Sequence, residues 1–244
     1  MAIIDAHAYL GRWPTPVAAL DADELERLMK QFGITRCCVA SSAAVMGDLA
    51  AGNRAVAEAI EGRPALLGYC VINPNFLDLS TEEATRCLRQ PNFVGVKIHA
   101  AYDRQPFDSL ATRELLKRLM RYDRPILLEP ETIEDLEAVQ RVAAEYPTEK
   151  FVIVGMMRDA WQEAVQLAAG RTNVVFLCGG AHAERDAVKH ASEAIGPHRV
   201  IFGSGAPLAH PVYALGMVRD ADLSAGLKDR ILQGAACRLF GIRP

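Results

Sequence analysis

The stretch IDAHAYLG, Ile4 to Gly11, carries Asp5, His7 and Tyr9 at alternate positions. Alternate residues of a β-strand share a face, so a strand here aims all three side chains the same way. Two readings are open. The stretch is one wall of a metal site with Tyr9 where a second imidazole would stand, or it is an apolar strand with incidental polar residues. The rest of the chain decides, by what it brings to the same place.

Working outward, seven more short runs rich in Val, Ile and Phe follow. They are RCCVAS from Arg36, ALLGYCVI from Ala65, FVGVKIHA from Phe93, PILLEP from Pro125, KFVIVGMM from Lys150, NVVFLCGG from Asn173 and RVIFGSG from Arg199. The segments between them read as amphipathic helices. DADELERLMKQFG opens on a capping box, Asp21 with Glu24, and stops at Gly33. STEEATRCLRQ suggests a second box, Ser80 with Glu83, and LSAGLKDRILQGAACRLFGI reads as two helices meeting near Gly234. Eight strand–helix units in one α/β chain predict a (β/α)₈ TIM barrel filling a single domain, residues 1–244. An open doubly wound sheet competes less well, because no glycine-rich dinucleotide turn follows the first strand.

Composition narrows the function. Half of the 244 residues are hydrophobic, enough for a large core. The net charge of −3 comes from nearly balanced signs without a basic run, which argues against nucleic acid or a membrane as partner. No secretory leader and no membrane-length apolar run is visible. Cys37, Cys38, Cys70, Cys87, Cys178 and Cys237 form no CxxC pair and mostly fall in apolar runs, so buried reduced thiols and a cytoplasmic setting are expected.

In such barrels the chemistry sits at the C-terminal ends of the strands. Those ends offer Asp5, His7 and Tyr9; Ser41 and Ser42; Asn73; Lys97 and His99; Glu129; Gly155; Cys178; and Ser204 with Gly205. In FVGVKIH, Val94, Val96 and Ile98 are expected to pack under helices, and Gly95, Lys97 and His99 to point into the barrel. An inward lysine is costly unless paired, and Glu129 one strand over is the expected partner. That pair is either a structural ion pair or part of a working site in which Lys97 acts as base or amine nucleophile. His7, His99 and Glu129 are the donors a zinc ion accepts if a metal is present at all. His182 and His210, in the loops after strands seven and eight, could lean in; His190 and His198 read as helix or turn residues.

These strand ends resemble the amidohydrolase-related family of metal-dependent hydrolases and decarboxylases. IDAHAYLG is similar to its opening IDxHxHxG, GVKIHA to its fourth-strand motif, and PILLEP to a PxxxH strand. FVIVGMM is similar to a strand ending in His-Met-Gly, IFGSGAPL to FGSDxP, and ILQGAACRLFGI to ILGxNAxRLFGL. The resemblance implies a TIM barrel with one or two divalent ions, held by histidines on strands one, five and often six and by an aspartate on strand eight. Here His7 is kept, Tyr9 and Glu129 replace histidines, and Gly155 and Gly205 stand at the remaining positions. The aspartate's metal-binding and proton-accepting work has no side chain at Gly205 to do it.

The reading that follows is a degenerate metal site in a hydrolase-class enzyme acting on a small polar or carboxylate-bearing molecule. Lys97, His99 and Glu129 are its catalytic candidates, and His7, Tyr9, Ser204 and Cys178 its substrate-binding candidates. No metal cofactor is favoured, zinc or another divalent metal at His7, His99 and Glu129 being the variant. The alternative is a noncatalytic binder or assembly protein. A small-molecule ligand is the expected partner, and a homo-oligomer is compatible.

Overall fold

The computed structural model describes residues 2–155, 160–179 and 186–243. Among these, eight strands lie in one sheet in sequence order: β1 (Ile3–Leu10), β2 (Ile34–Ser41), β3 (Leu66–Val71), β4 (Phe93–Ile98), β5 (Ile126–Leu128), β6 (Phe151–Val154), β7 (Val174–Cys178) and β8 (Val200–Phe202). Each pairs in parallel with the next. The ring closes through the chain just beyond β8: Tyr9 N donates to the Ala206 carbonyl at 2.7 Å and Gly205 N to the His7 carbonyl at 2.8 Å, with Ala8 and Ala206 bridged in parallel. The result is the expected α/β barrel, eight parallel strands in a nearly closed ring.

The helices are α1 (Ala22–Phe32), α2 (Ser42–Val45), α3 (Leu49–Ile60), α4 (Leu77–Leu88), α5 (Ala100–Asp103), α6 (Leu110–Leu119), α7 (Ile133–Glu145), α8 (Trp161–Ala169), α9 (Ala187–Ile195), α10 (Pro211–Arg219), α11 (Ala225–Asp229) and α12 (Ala235–Phe240). α1 begins and ends where its caps predict, with the Asp21–Glu24 box formed and Gly33 left-handed at φ 72°. A π turn, Arg230–Gly234, joins α11 to α12 at the expected joint. Ser80 is no cap: it lies inside α4, where its hydroxyl is buried and exchanges hydrogen bonds with the backbone of Asn73. That tie to the end of β3 outcompetes the local box.

Adjacent residues of each strand serve different layers. Cys37, Val39, Val96, Ile98, Ile126, Phe151 and Phe176 pack outward with Leu25, Leu115, Val139, Val165 and Val188 of the helices. Cys38, Ala40, Leu67, Tyr69, Leu127, Val152 and Val175 fill the interior. Ala235, Ala236 and Phe240 of α12 join that inner cluster, with the Phe240 and Tyr69 rings 6.1 Å apart. Two expectations of strand parity fail here. Gly68 pairs with Phe93 but Tyr69 with Gly95, so Val94 is an extra residue in β4 and packs in the interior, not under helices. A register shift between Asp5 and Ala8 likewise separates Asp5 from His7 and Tyr9. All six cysteines are free thiols, five of them buried. No helix among the described residues is long and apolar enough to cross a membrane.

Candidate functional site

Lys97 is the last-but-one residue of β4, and its side chain has no exposure to solvent. Its ammonium lies 2.7 Å from Glu129 Oε2 and 3.2 Å from His7 Nε2, and 5.1 Å from the centre of the Tyr9 ring. Glu129 follows β5 directly, so the parallel ladder that pairs Lys97 with Leu127 and Ile98 with Leu128 delivers the carboxylate to the ammonium. Glu129 Oε2 also accepts the Tyr9 hydroxyl at 2.7 Å and lies 3.4 Å from His99 Nε2. One carboxylate oxygen therefore accepts from Tyr9 of β1 and Lys97 of β4, with the His99 imidazole close by. About a quarter of the Glu129 side chain (24%) stays exposed, so this carboxylate is the part of the cluster that meets solvent.

The charge states follow from the geometry. Burial raises the Glu129 carboxyl, but the Lys97 ammonium beside it, ahead of the two imidazoles, outweighs burial and holds it below the ordinary carboxylate range. Burial lowers the Lys97 amine, and Glu129 pulls it back; at 2.7 Å the pair stays ionised. Burial, reinforced by Lys97, pushes His7 well down, so its ring is neutral. An ammonium can only donate, which makes His7 Nε2 the acceptor and places the ring proton on Nδ1. Burial lowers His99 to about 4, so it too is neutral near pH 7. Burial, with Glu129 beside it, raises Tyr9 well above its usual value and keeps it a phenol.

Aromatic rings enclose the pair. His7 meets Tyr9 at 4.6 Å, Tyr9 meets Trp13 at 4.8 Å, Trp13 meets Tyr102 at 5.8 Å and Tyr102 meets His99 at 4.9 Å. The chain of contacts starts and ends on the two histidines that reach the ion pair. Trp13 and Tyr102 were not singled out from the sequence; the available signal was a large aromatic side chain in each short segment after β1 and β4. Asp103, at the end of α5, accepts the backbone N–H of His99 at 3.3 Å and fixes the turn that carries His99. Burial raises that carboxyl to about 7, against the His99 hydrogen bond and the Lys97 charge.

Of the remaining candidates, several do structural work. Asp5 Oδ1 accepts the backbone N–H groups of His7 (3.1 Å) and Ser204 (2.8 Å), stitching β1 to the end of the barrel. Ser204 is fully buried, and its hydroxyl accepts the Ala206 N–H at 3.0 Å, so it serves the same seam rather than the mouth. Cys178 packs in the outer layer with the helices, and burial lifts its thiol to about 12; it does not face the cluster. Ser41 and Ser42 are tied to the Ala44 amide and the Leu10 carbonyl, and Asn73 caps the turn that follows it. His210 caps α10 and lies against Phe32, and His190 lies against Trp161. His182 lies outside the described residues, as do Met156 and Met157.

Divalent-ion chemistry needs donors converging on a free point. His99 Nε2 approaches Glu129 Oε2, but Lys97 Nζ lies between that oxygen and His7 Nε2. A second cation there would face an ammonium at contact distance. Among the described residues, no group of three or more His, Cys, Asp or Glu side chains has an arrangement able to hold a metal ion. Gly155, at the end of β6, and Gly205, at the seam, offer no side-chain donor. The described residues do not fit a divalent ion.

Comparison with known proteins agrees with this architecture. A 5-carboxyvanillate decarboxylase of Novosphingobium aromaticivorans DSM 12444, complexed with manganese and 4-hydroxy-3-methoxy-5-nitrobenzoic acid, matches with TM-score 0.82 at 16% identity, over 99% of this chain and 96% of that one. A 2,6-dihydroxybenzoate decarboxylase from Rhizobium matches with TM-score 0.78 at 16% identity, over 98% of each chain. A probable 2-pyrone-4,6-dicarboxylic acid hydrolase from Acinetobacter baumannii, with citric acid bound, matches with TM-score 0.76 at 16% identity, over 99% of this chain and 100% of that one. At these identities the likeness shows a shared fold. No curated protein matches by sequence. The sequence profile of the amidohydrolase family, however, matches residues 3–242, and this chain belongs to that family.

Proposed function

We propose that this protein is an enzyme whose family metal site is largely lost. It acts on a small polar or carboxylate-bearing molecule, by hydrolysis, lactone opening or decarboxylation. The observation that carries this reading is the cluster of Lys97, Glu129, His7, His99 and Tyr9, closed below and open above at Glu129. A scaffold gains little from burying an ammonium at such a place, whereas a reaction site gains a fixed charge. Lys97 acts from beneath by holding Glu129 ionised. Glu129 and neutral His99 take and return a proton, with Tyr9 fixing the carboxylate. Trp13 and Tyr102 give a wall suited to a flat ligand. The relatives that act on or bind aromatic and cyclic carboxylates support this substrate class. The free thiols support a cytoplasmic setting.

The test is a panel of hydroxybenzoates and lactone carboxylates, followed by carbon dioxide release and by ring opening, with a chelator present. Turnover that survives chelation and falls about 100-fold or more in Glu129→Gln supports the reading. Turnover lost on chelation, or unchanged in that variant, contradicts it. A second reading, a noncatalytic binder with Lys97–Glu129 as a structural ion pair, draws on the complete burial of Lys97. It predicts saturable ligand binding by the wild type with no product from any panel member.

A further inference from the structure

We infer that Trp13 is a ligand-binding residue of this barrel mouth, its indole N–H donating to an oxygen of a flat ligand, and that the Tyr102 ring is the movable cover over it. Among the described residues, four buried side-chain nitrogens have no hydrogen-bond partner: His7 Nδ1, Trp13 Nε1, His99 Nδ1 and Gln140 Nε2. Three of the four belong to the arc of rings that runs His7, Tyr9, Trp13, Tyr102, His99. Buried polar groups are as a rule paired, so three unpaired nitrogens on one arc point to a partner that comes from outside the fold.

Exposure singles out the cover. Trp13 is 4% exposed and His99 6%, whereas Tyr102, which touches both, is 43% exposed. Its ring meets His99 edge-on at 85° and Trp13 at a tilt of 55°. The helix that carries it, α5, is four residues long, and an exposed side chain changes rotamer within nanoseconds. Rotation of Tyr102 away from the arc uncovers Trp13 and His99 together and needs no change in the backbone. The two uncovered nitrogens then play opposite parts. An indole N–H can only donate. His99 Nε2 lies 3.4 Å from Glu129 Oε2, which puts the proton of the neutral ring on Nε2 and leaves Nδ1 an acceptor. The ligand that satisfies both carries an oxygen acceptor for Trp13 and an O–H or N–H for His99. The inference rests on the reading of this mouth as a small-molecule site and does not depend on any reaction there.

The chain has two tryptophans, Trp13 and Trp161, so each indole N–H can be followed alone. The experiment is a titration of the intact protein, labelled with heavy nitrogen at tryptophan, with benzoate as the probe, read in nitrogen-edited proton spectra; Trp13→Phe or Trp161→Phe gives the assignment. The expected result is that benzoate moves the Trp13 indole proton downfield, leaves that of Trp161 in place, and binds Trp13→Phe about tenfold more weakly. Tyr102→Ala tests the cover: its Trp13 indole proton should exchange for deuterium about tenfold faster than in the wild type, with Trp161 unchanged. Circular dichroism confirms folding of each variant. A Trp13 resonance that stays in place up to the solubility limit of benzoate overturns the inference, whether or not the turnover panel of the proposed function succeeds. Benzoate bound equally by the wild type and a folded Trp13→Phe overturns it as well, and unchanged exchange in a folded Tyr102→Ala overturns the cover. Should either variant not fold, the wild-type resonance decides: a downfield shift supports the inference and a fixed position overturns it.

Discussion

Lys97 and Glu129 are unequal partners. The ammonium has no exposure, whereas the carboxylate keeps a quarter of its side chain in contact with solvent. Removing Glu129's charge strands a fully buried cation; removing Lys97 leaves an anion that can rehydrate. Glu129→Gln is therefore expected to cost about 3–5 kcal/mol of stability, and Lys97→Met less than half of that. Urea unfolding at pH 7 measures both, and equal losses would place the two groups in equally closed surroundings. This residue pair was legible in the sequence, because strand alternation and barrel geometry put Lys97, His99, Glu129, His7 and Tyr9 at one mouth. Trp13 and Tyr102 were not legible, since they reach the site from a loop and from the four-residue helix α5, neither long enough to show a periodicity. Cys178 and Ser204 sit at the right strand ends, but one faces the helices and the other the seam. Position along a strand fixes height in the barrel, and only the local register fixes the face.

At the scale of elements, the weakest joint is between β1 and β8, where backbone pairing narrows to a bridge and the Asp5 carboxylate supplies two extra acceptor bonds. Burial raises that carboxyl from 3.8 to about 6, against the Ser204 and His7 hydrogen bonds. The folded chain thus holds the Asp5 proton more tightly than the unfolded chain. Its contribution to stability is greatest below about pH 4, falls as pH rises through the window to about 6, and is gone above it. That contribution amounts to up to about 3 kcal/mol. Asp5→Asn keeps an acceptor oxygen and removes the titration. The stability difference between variant and wild type should therefore move in the variant's favour from pH 4 to pH 6. Unfolding series at those two pH values check this, and a constant difference would mean that Asp5 carries the same proton in both states. Helix α1 was readable to the residue from its two caps. α3 and α10 were not singled out, because Ala-rich and Gly-containing segments carry little amphipathic contrast. The displaced start of α4 and the irregular β1 and β4 have one cause: a side chain or backbone group found a distant partner that outweighed the local pattern.

At the scale of the molecule, one end of the inner core is filled by α12 and the other holds the ion pair. Phe240 is almost fully buried among inner-cluster residues and meets Tyr69, whose hydroxyl donates to the Ala6 carbonyl of β1 at 2.7 Å. Phe240→Ala should cost about 3–5 kcal/mol by the cavity it leaves. Denaturant melts followed at both tryptophans should report this as a single shifted transition; a separate early transition would show α12 detaching from an intact barrel. At that other end the Lys97 ammonium lies between Glu129 and His7, with Tyr9 and His99 beside the carboxylate. The most direct measurement is the electron density at the end of Lys97 in wild-type crystals grown with manganese. The ion pair predicts density continuous with the side chain, 2.7 Å from Glu129 Oε2 and 3.2 Å from His7 Nε2. A separate peak with ligand distances of about 2.0–2.2 Å to His7, His99 and Glu129, and Lys97 turned away, would contradict it.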